Sequence, residues 1–485
     1  MAEPVATPPD PAWARGLDTL HHAGRDAARE LAHRAGLALA ASHAAAPSEG
    51  PATEDRTGTG TGCPAPAHHD DAAPHGPSHG RGAPCAATER VPLDRACGRV
   101  LAEDVRALCP VPHYASSAMD GYAVNGPGPW TLLRTRTTPR EGAAPSKGTT
   151  LSEGTTPSED AAPLDGAALP SEASAVSLTP GTAVPVVTGG VIPHGTTGVV
   201  REEYTAREGD RVALRADAPR SELAGRHIRP AGTECGSDEV VFSAGRRLSP
   251  ADAAFAAVAG LDALPVRRVP RVALLLTGSE VRTSGVPGPG HVRDAFSMSL
   301  PYVLRAHGAA VGTVQRIDDD PAALEAAVRT ACADHDLVLT TGGTARSGAD
   351  HVRPLLERDT RLLLDQLDLQ PGHPALLGAA ERSAVLALPG NPLGAVVVLL
   401  LVGGALLAGL SGRPAPQLMP VTAGAAAGGR SERLVPARRR DGAWVPCRAA
   451  GSNMLRGLSE ADGLLCVPRG GLEPGDSSAV LALPW

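Results

Sequence analysis

Residues 336–350 read D-L-V-L-T-T-G-G-T-A-R-S-G-A-D, and this stretch decides what kind of fold the chain can make. A short apolar run, 337–339, gives way to Thr340-Thr341-Gly342-Gly343 and then to small and charged residues. The pattern predicts a buried strand ending in a glycine turn, with backbone N–H groups facing a ligand. Two other segments end alike: 272–276 runs into Thr277-Gly278-Ser279-Glu280, and 385–388 into Pro389-Gly390-Asn391-Pro392. Between them, helical spacing over 321–333 opens behind Asp320 as N-cap, with Pro321 at the first helical position. Strands alternating with helices over roughly 140 residues predict a three-layer α/β domain with a mostly parallel sheet, and ligands bind such sheets beyond the strands' carboxyl ends. Three glycine turns on one edge therefore mark a candidate pocket. The plainer alternative is that they are only tight turns.

At 485 residues the chain is too long for one core, and its length suggests roughly three domains. Hydrophobic residues at 42 % and charged ones at 20 % predict a soluble globular protein, and aromatics at 2 % leave aliphatic side chains to fill the cores. A net charge of −7 provides no basic footprint for nucleic acid. The eight cysteines are scattered without a CxxC pair, which argues against a zinc site or a disulfide framework and for a reducing cytoplasm. The first ten residues lack the basic and apolar regions of a signal peptide. The run 394–410 reaches the lower limit of spanning length, but it carries four glycines and follows the third glycine turn, where a crossover helix belongs. A buried helix is expected there rather than a membrane span.

Outward from this region, residues 12–41 carry apolar side chains at helical spacing and predict a leading helix within 1–43. Residues 44–88 turn to Pro, Ala, Gly, Thr and His without periodicity and predict a disordered linker. Its His68-His69-Asp70-Asp71, His75 and His79 could chelate a metal ion, at an ordering cost that favours a plain solvated tail. Asp120 sits in S-A-M-D-G-Y-A-V (117–124), either presenting a carboxylate from a rigid turn or capping it. Residues 134–180 are rich in Ser, Thr, Pro, Glu and Ala and predict a flexible insertion. It interrupts a β-rich domain over 113–208, itself inserted into a mixed domain formed by 89–112 and 209–266. Ser249 and Pro250 open a helix through Val258. After the α/β domain at 267–412, short strands over 413–485 predict a small C-terminal β-barrel.

The order of motifs is similar to that of the MoeA family of molybdopterin molybdenumtransferases, related to the E domain of gephyrin. The likeness rests on 117–124, Thr188-Gly189-Gly190 with Pro193-His194-Gly195, Thr277-Gly278, Thr341-Gly342-Gly343, L-P-G-N-P at 388–392 and G-S-N-M-L at 451–455. The resemblance implies insertion of molybdate into adenylylated molybdopterin with release of AMP, dependence on Mg²⁺, a homodimer, and a molybdopterin adenylyltransferase as partner. It makes 267–412 the molybdopterin-binding domain. By the same resemblance Asp120, Asp252 and Asp350 are catalytic, and Thr188, Glu234 and Asp294 bind substrate. So do the turn residues Thr277, Gly278, Ser279, Gly342, Gly343, Pro389, Gly390, Asn391 and Pro392. The metal ligands stay unassigned.

The sequence also departs from the family pattern. Ser279 stands where the T-G-D-E-L turn has an acid, and Gln366, Gln370 and His373 stand where the K-x-x-x-K-P-G-K-P loop has lysines. Each charge-assisted contact is worth roughly 1.5–3 kcal/mol, so losing several weakens phosphate or molybdate binding unless something compensates. Gly348 replaces an acid and Phe296 an asparagine, while Arg293 and Arg346 are candidate compensating cations. Two other readings follow: a catalytically depleted relative that binds pterin or a protein partner, and an α/β domain that adenylylates molybdopterin with ATP.

Overall fold

The glycine-ended runs become neighbouring strands of one sheet in the computed structural model, which describes residues 9–45, 88–133, 176–219, 226–345 and 350–485. Seven strands form it: β1 (Leu20–Ala23), β2 (Arg271–Thr277), β3 (Ala310–Ile317), β4 (Leu337–Thr341), β5 (Arg361–Leu367), β6 (Leu376–Ala379) and β7 (Ala384–Leu388). Their spatial order is β1-β5-β6-β7-β4-β2-β3, and β6 alone runs against its neighbours. The sheet is thus mixed, with the predicted parallel character over most of its width. Register matters more than order here. Thr341 lies opposite both Leu276 and Leu388, so β2, β4 and β7 end level and their turns open on one edge.

Alternation along the strands builds the layers, because successive side chains leave a strand on opposite faces. Val272, Leu274, Leu276, Leu339, Leu386 and Leu388 face one side, with helices α1 (Arg25–Ala45), α2 (Phe296–Ala306) and α5 (Pro392–Leu410). Ala273, Leu275, Val338, Val385 and Ala387 face the other, under α3 (Pro321–Asp334) and α4 (Val352–Asp359). Asp320 caps α3 through bonds from the Ala322 and Ala323 N–H groups. The apolar helix α5 contains one π-helical turn at Leu399–Gly403, and its most apolar window is wholly buried in protein. Its contact with α1 is set by two glycines. A Cβ on Gly409 would lie 2.2 Å from the His33 carbonyl oxygen, and one on Gly36 2.2 Å from that of Leu406.

The predicted leading helix needs correction. Residues 12–14 form a 3-10 turn, Leu20–Ala23 is a strand, and the helix spans Arg25–Ala45. Gly24 separates the two, and the open edge of β5 draws 20–23 into parallel pairing, which overrides the helical spacing of Leu17 and Leu20. The segment expected as a barrel is a five-stranded antiparallel sheet over 418–482, whose outer strands touch at the Ala423–Trp444 bridge. The linker histidines, most of the 134–180 insertion, Arg346 and Gly348 lie outside the described residues.

The chain divides into two units: 1–90, 98–102 and 265–485 form one, and 91–97 and 103–264 the other. The second unit is built on a six-stranded sheet from Gly121–Val124, Trp130–Leu132, Thr182–Val186, Gly198–Arg201, Thr205–Glu208 and Arg211–Leu214. Trp130 is fully buried in its core and donates its indole N–H to the Gly126 carbonyl at 3.0 Å. The helix Pro250–Val258 starts as expected, with Ser249 and Asp252 in a reciprocal capping box.

Candidate functional site

The turns after β2, β4 and β7 share one cleft of about 860 Å³, a size suited to a small-molecule ligand. Gly278, Gly342 and Gly343 hold positive φ angles of 119°, 79° and 64°, which side-chain-bearing residues rarely adopt. The turns are laced to one another. The Thr277 hydroxyl donates to the Thr341 carbonyl, and the Gly342 N–H donates to the Leu388 carbonyl at 2.9 Å. A Cβ on Gly343 would lie 2.9 Å from Val352 Cγ2, and one on Gly390 3.5 Å from Gly342 Cα. At the start of α5 the Leu393 and Gly394 N–H groups donate to the Ser452 carbonyl at 3.0 and 3.3 Å. Neither they nor Gly342 N–H is open to a ligand. The same loop brings Asn453 into the cleft beside Asn391.

The lining is acidic. Glu280, Asp294, Asp318, Asp319, Asp320 and Asp350 face Arg293 and Arg316. Asp294 is buried, and its Oδ1 accepts the N–H groups of Phe296 and Ser297 at 2.9 and 3.1 Å while Oδ2 pairs with Arg316. Burial opposes its charge, but the bonds from Ser297 and Phe296 and the Arg316 cation prevail and hold the carboxyl below its ordinary range. Asp319 reaches the turn where an acid is missing. Its Oδ2 accepts the Ser279 N–H at 3.0 Å, and its own N–H donates to Ser279 Oγ at 3.0 Å. Asp319 lines the cleft, whereas Ser279, itself exposed, does not. Among the described residues no three His, Cys, Asp or Glu side chains form a metal-holding cluster.

The loop that lost its lysines runs beside this cleft but contributes only Pro374 to the lining. Gln366 holds a left-handed backbone (φ 69°), and its N–H donates to the Ala375 carbonyl at 3.0 Å. Gln370 pairs by its main chain with Glu432 and Leu434 of the C-terminal sheet, each bond 3.0 Å. His373 is exposed, its Nδ1 2.5 Å from the Leu367 carbonyl, and its ring stacks on His22 at 5.7 Å between centroids. Arg293, one of the two proposed compensating cations, does line the cleft.

Thr277, Gly278, Asp294, Gly342, Gly343, Asp350 and the turn 389–392 are therefore brought together as expected. Ser279 belongs to the same unit but is not part of the lining, and the remaining predicted residues, Asp120, Thr188, Glu234 and Asp252, belong to the second unit. There Asp120 Oδ1 accepts the Thr188 N–H at 2.6 Å and its hydroxyl at 2.9 Å, so these two meet. Gly121 beside them has no room for a Cβ, which would lie 2.0 Å from the Val200 carbonyl oxygen. Glu234 is exposed, and its N–H donates to the Val111 carbonyl at 2.8 Å. Asp252 is 5 % exposed and has both oxygens engaged, Oδ2 with the Ser249 N–H and hydroxyl and Oδ1 with Arg246 at 2.8 Å. Burial works against its charge, yet Arg246 and Ser249 keep its carboxyl below the usual range. Sequence reasoning missed Arg316, Asp318, Asp319 and Asn453. The acidic run at the end of β3 and the 451–455 motif were the available signals.

Comparison with known proteins bears on the family and the fold. A family model described as the MoeA N-terminal region, domains I and II, matches residues 71–260, and one for a probable molybdopterin-binding domain matches 273–408. Molybdopterin molybdenumtransferase 2 of Mycobacterium tuberculosis is 30 % identical over 391 residues, covering 78 % of this chain and 90 % of that protein. The molybdopterin molybdenumtransferase of Synechococcus elongatus is 30 % identical over 318 residues, 64 % of this chain and 72 % of that protein. The crystal structure of the molybdopterin biosynthesis MoeA protein from Pyrococcus horikosii has the same fold, with a TM-score of 0.63 at 20 % identity, covering 82 % of this chain and 94 % of that one.

Proposed function

This chain belongs to the MoeA family of molybdopterin molybdenumtransferases, and from that premise we propose that it inserts molybdate into adenylylated molybdopterin with release of AMP. The observation that carries the reading is the convergence of three glycine turns, from strands far apart in the chain, on one cleft walled by carboxylates. Glycine turns let a ligand approach the main chain closely, while the Ser279, Gly342, Leu393 and Gly394 N–H groups are already engaged within the protein.

The cleft's charge then demands a cation. Six acids face two arginines, and a polyanionic substrate entering that field meets net repulsion. Mg²⁺ suits the donor set, since it takes oxygen ligands and is usually held by one or two carboxylates plus substrate phosphates. Asp318 and Asp350 would hold it, and it would neutralise charge building on the phosphoanhydride. Asp294 is committed to Arg316 and the first turn of α2, so it orients that arginine toward the anion. Asp319 supplies the carboxylate that Ser279 lacks. Asp120 and Thr188 form the second group assigned to the reaction, and Asp252 and Glu234 remain proposals on the same footing. A homodimer, a cytoplasmic setting and an adenylyltransferase partner belong to this reading as well.

The test is direct. Purified protein given adenylylated molybdopterin, molybdate and Mg²⁺ releases AMP above a heat-treated control, and chelation of the metal stops it. Release equal to the control overturns the assignment.

A further inference from the structure

Arg353 is a guanidinium only 3 % exposed beneath the glycine turn. Its main-chain N–H donates to the Gly343 carbonyl at 3.1 Å and its Nε to the Thr344 carbonyl at 3.2 Å, so one residue grips the turn twice. Its Nη1 donates to Asp365 Oδ1 at 2.8 Å and to Glu357 Oε1 at 3.1 Å. The other Asp365 oxygen lies 3.4 Å from His21 Nδ1. His21 sits on β1, which pairs with β5 in the register Leu20–Leu364, His21–Asp365, Ala23–Leu367. That strand is further pinned by the Thr19 hydroxyl on the Leu362 carbonyl (2.6 Å) and the Asp368 N–H on the Ala23 carbonyl (2.9 Å). Residues 20–23 precede both matched family regions, 71–260 and 273–408.

A buried ion pair is a poor way to gain stability, because desolvation cancels much of the attraction and an apolar replacement is often as good. A guanidinium fork can instead fix several acceptors in one plane. Here those acceptors are the main chain of a cleft turn and an acid facing the leading strand. We propose that Arg353 and Asp365 are positioning residues for the Gly342–Thr344 turn and that strand β1, through His21, is part of the same device. The leading segment thereby helps set the site's geometry as well as covering a sheet edge. The inference rests on the cleft being the anion-binding site.

The experiment uses the full chain and two readouts, hydrogen exchange of the 337–345 peptide and calorimetric binding of AMP. Arg353→Met speeds exchange in that peptide at least tenfold and weakens AMP at least tenfold, with cooperative unfolding retained. Arg353→Lys keeps the charge but recovers AMP affinity only in part, because an ammonium cannot reproduce the guanidinium's bonds to the Thr344 carbonyl, Asp365 and Glu357 together. His21→Ala weakens AMP about threefold in the parent and leaves it unchanged in an Arg353→Met background, because its effect passes through the arginine. A folded Arg353→Met protein with parental exchange and parental AMP affinity overturns the proposal, as does an equal His21→Ala effect in both backgrounds. Should Arg353→Met fail to fold, Asp365→Asn and His21→Ala decide, and parental exchange in both overturns it. Exchange is read without ligand, so a parent that releases no AMP from its substrate sinks the functional reading while leaving the positioning result intact.

Discussion

Among the described residues three helices begin with a polar residue followed by proline, and two of them begin in opposite ways. At Ser249-Pro250 the cap is closed: the Ser249 hydroxyl accepts the Asp252 N–H, Asp252 accepts back from Ser249, and Arg246 covers its remaining oxygen. At Asn391-Pro392 the side chain makes no cap bond, and the first donors of α5 are satisfied by the Ser452 carbonyl from 60 residues further along. The closed start has every polar group answered locally, while the open one leaves the Asn391 amide facing a cleft. A polar residue before proline predicts where a helix begins. It does not say whether that beginning is finished structure or a binding surface.

The comparison can be broken in several places. The open helix is held along its length instead of at its cap, so the largest loss comes at its glycine contact with α1. Gly409→Val costs about 3 kcal/mol in denaturant unfolding, because the His33 carbonyl leaves the added side chain no room. The next effect is on pH dependence. Burial, helped by Arg413, lowers the His307 pKa to about 4, and the ring lies against Gly404 of α5. Between pH 6.5 and 4 the unfolded chain takes a proton that the native state refuses. Stability contributed above pH 6.5 is therefore lost as pH falls, by roughly 3 kcal/mol in all, and no further below pH 4. Unfolding curves across that window should flatten in His307→Asn.

At the closed start, Asp252→Ala costs about 2 kcal/mol, the sum of a lost cap and a lost charged hydrogen bond. If Asp252 also acts in the reaction, Asp252→Asn abolishes AMP release by protein that is still folded. Parental release per folded molecule would make it structural only. The smallest stability effect belongs to Asn391→Ala, under about 0.5 kcal/mol, since no cap bond is removed. Its signature is weaker AMP binding, and a stability loss as large as that of Asp252→Ala would erase the distinction between the two starts.

Much of this was legible in the residues alone. The glycine-ended strands, the Asp320 and Ser249 caps and the buried run at 394–410 all follow from local period and punctuation, which a strand or helix expresses wherever it is placed. The tertiary structure alone decided that Leu276, Thr341 and Leu388 end level, that 20–23 joins the sheet as a strand, and that Asp319 crosses 40 residues to Ser279. It also decided that Arg353 lies buried against the turn. Periodicity records which face of an element is apolar. Register, edge pairing and the choice of partner for a charge depend on hydrogen bonds between segments distant in sequence, and no local pattern encodes them.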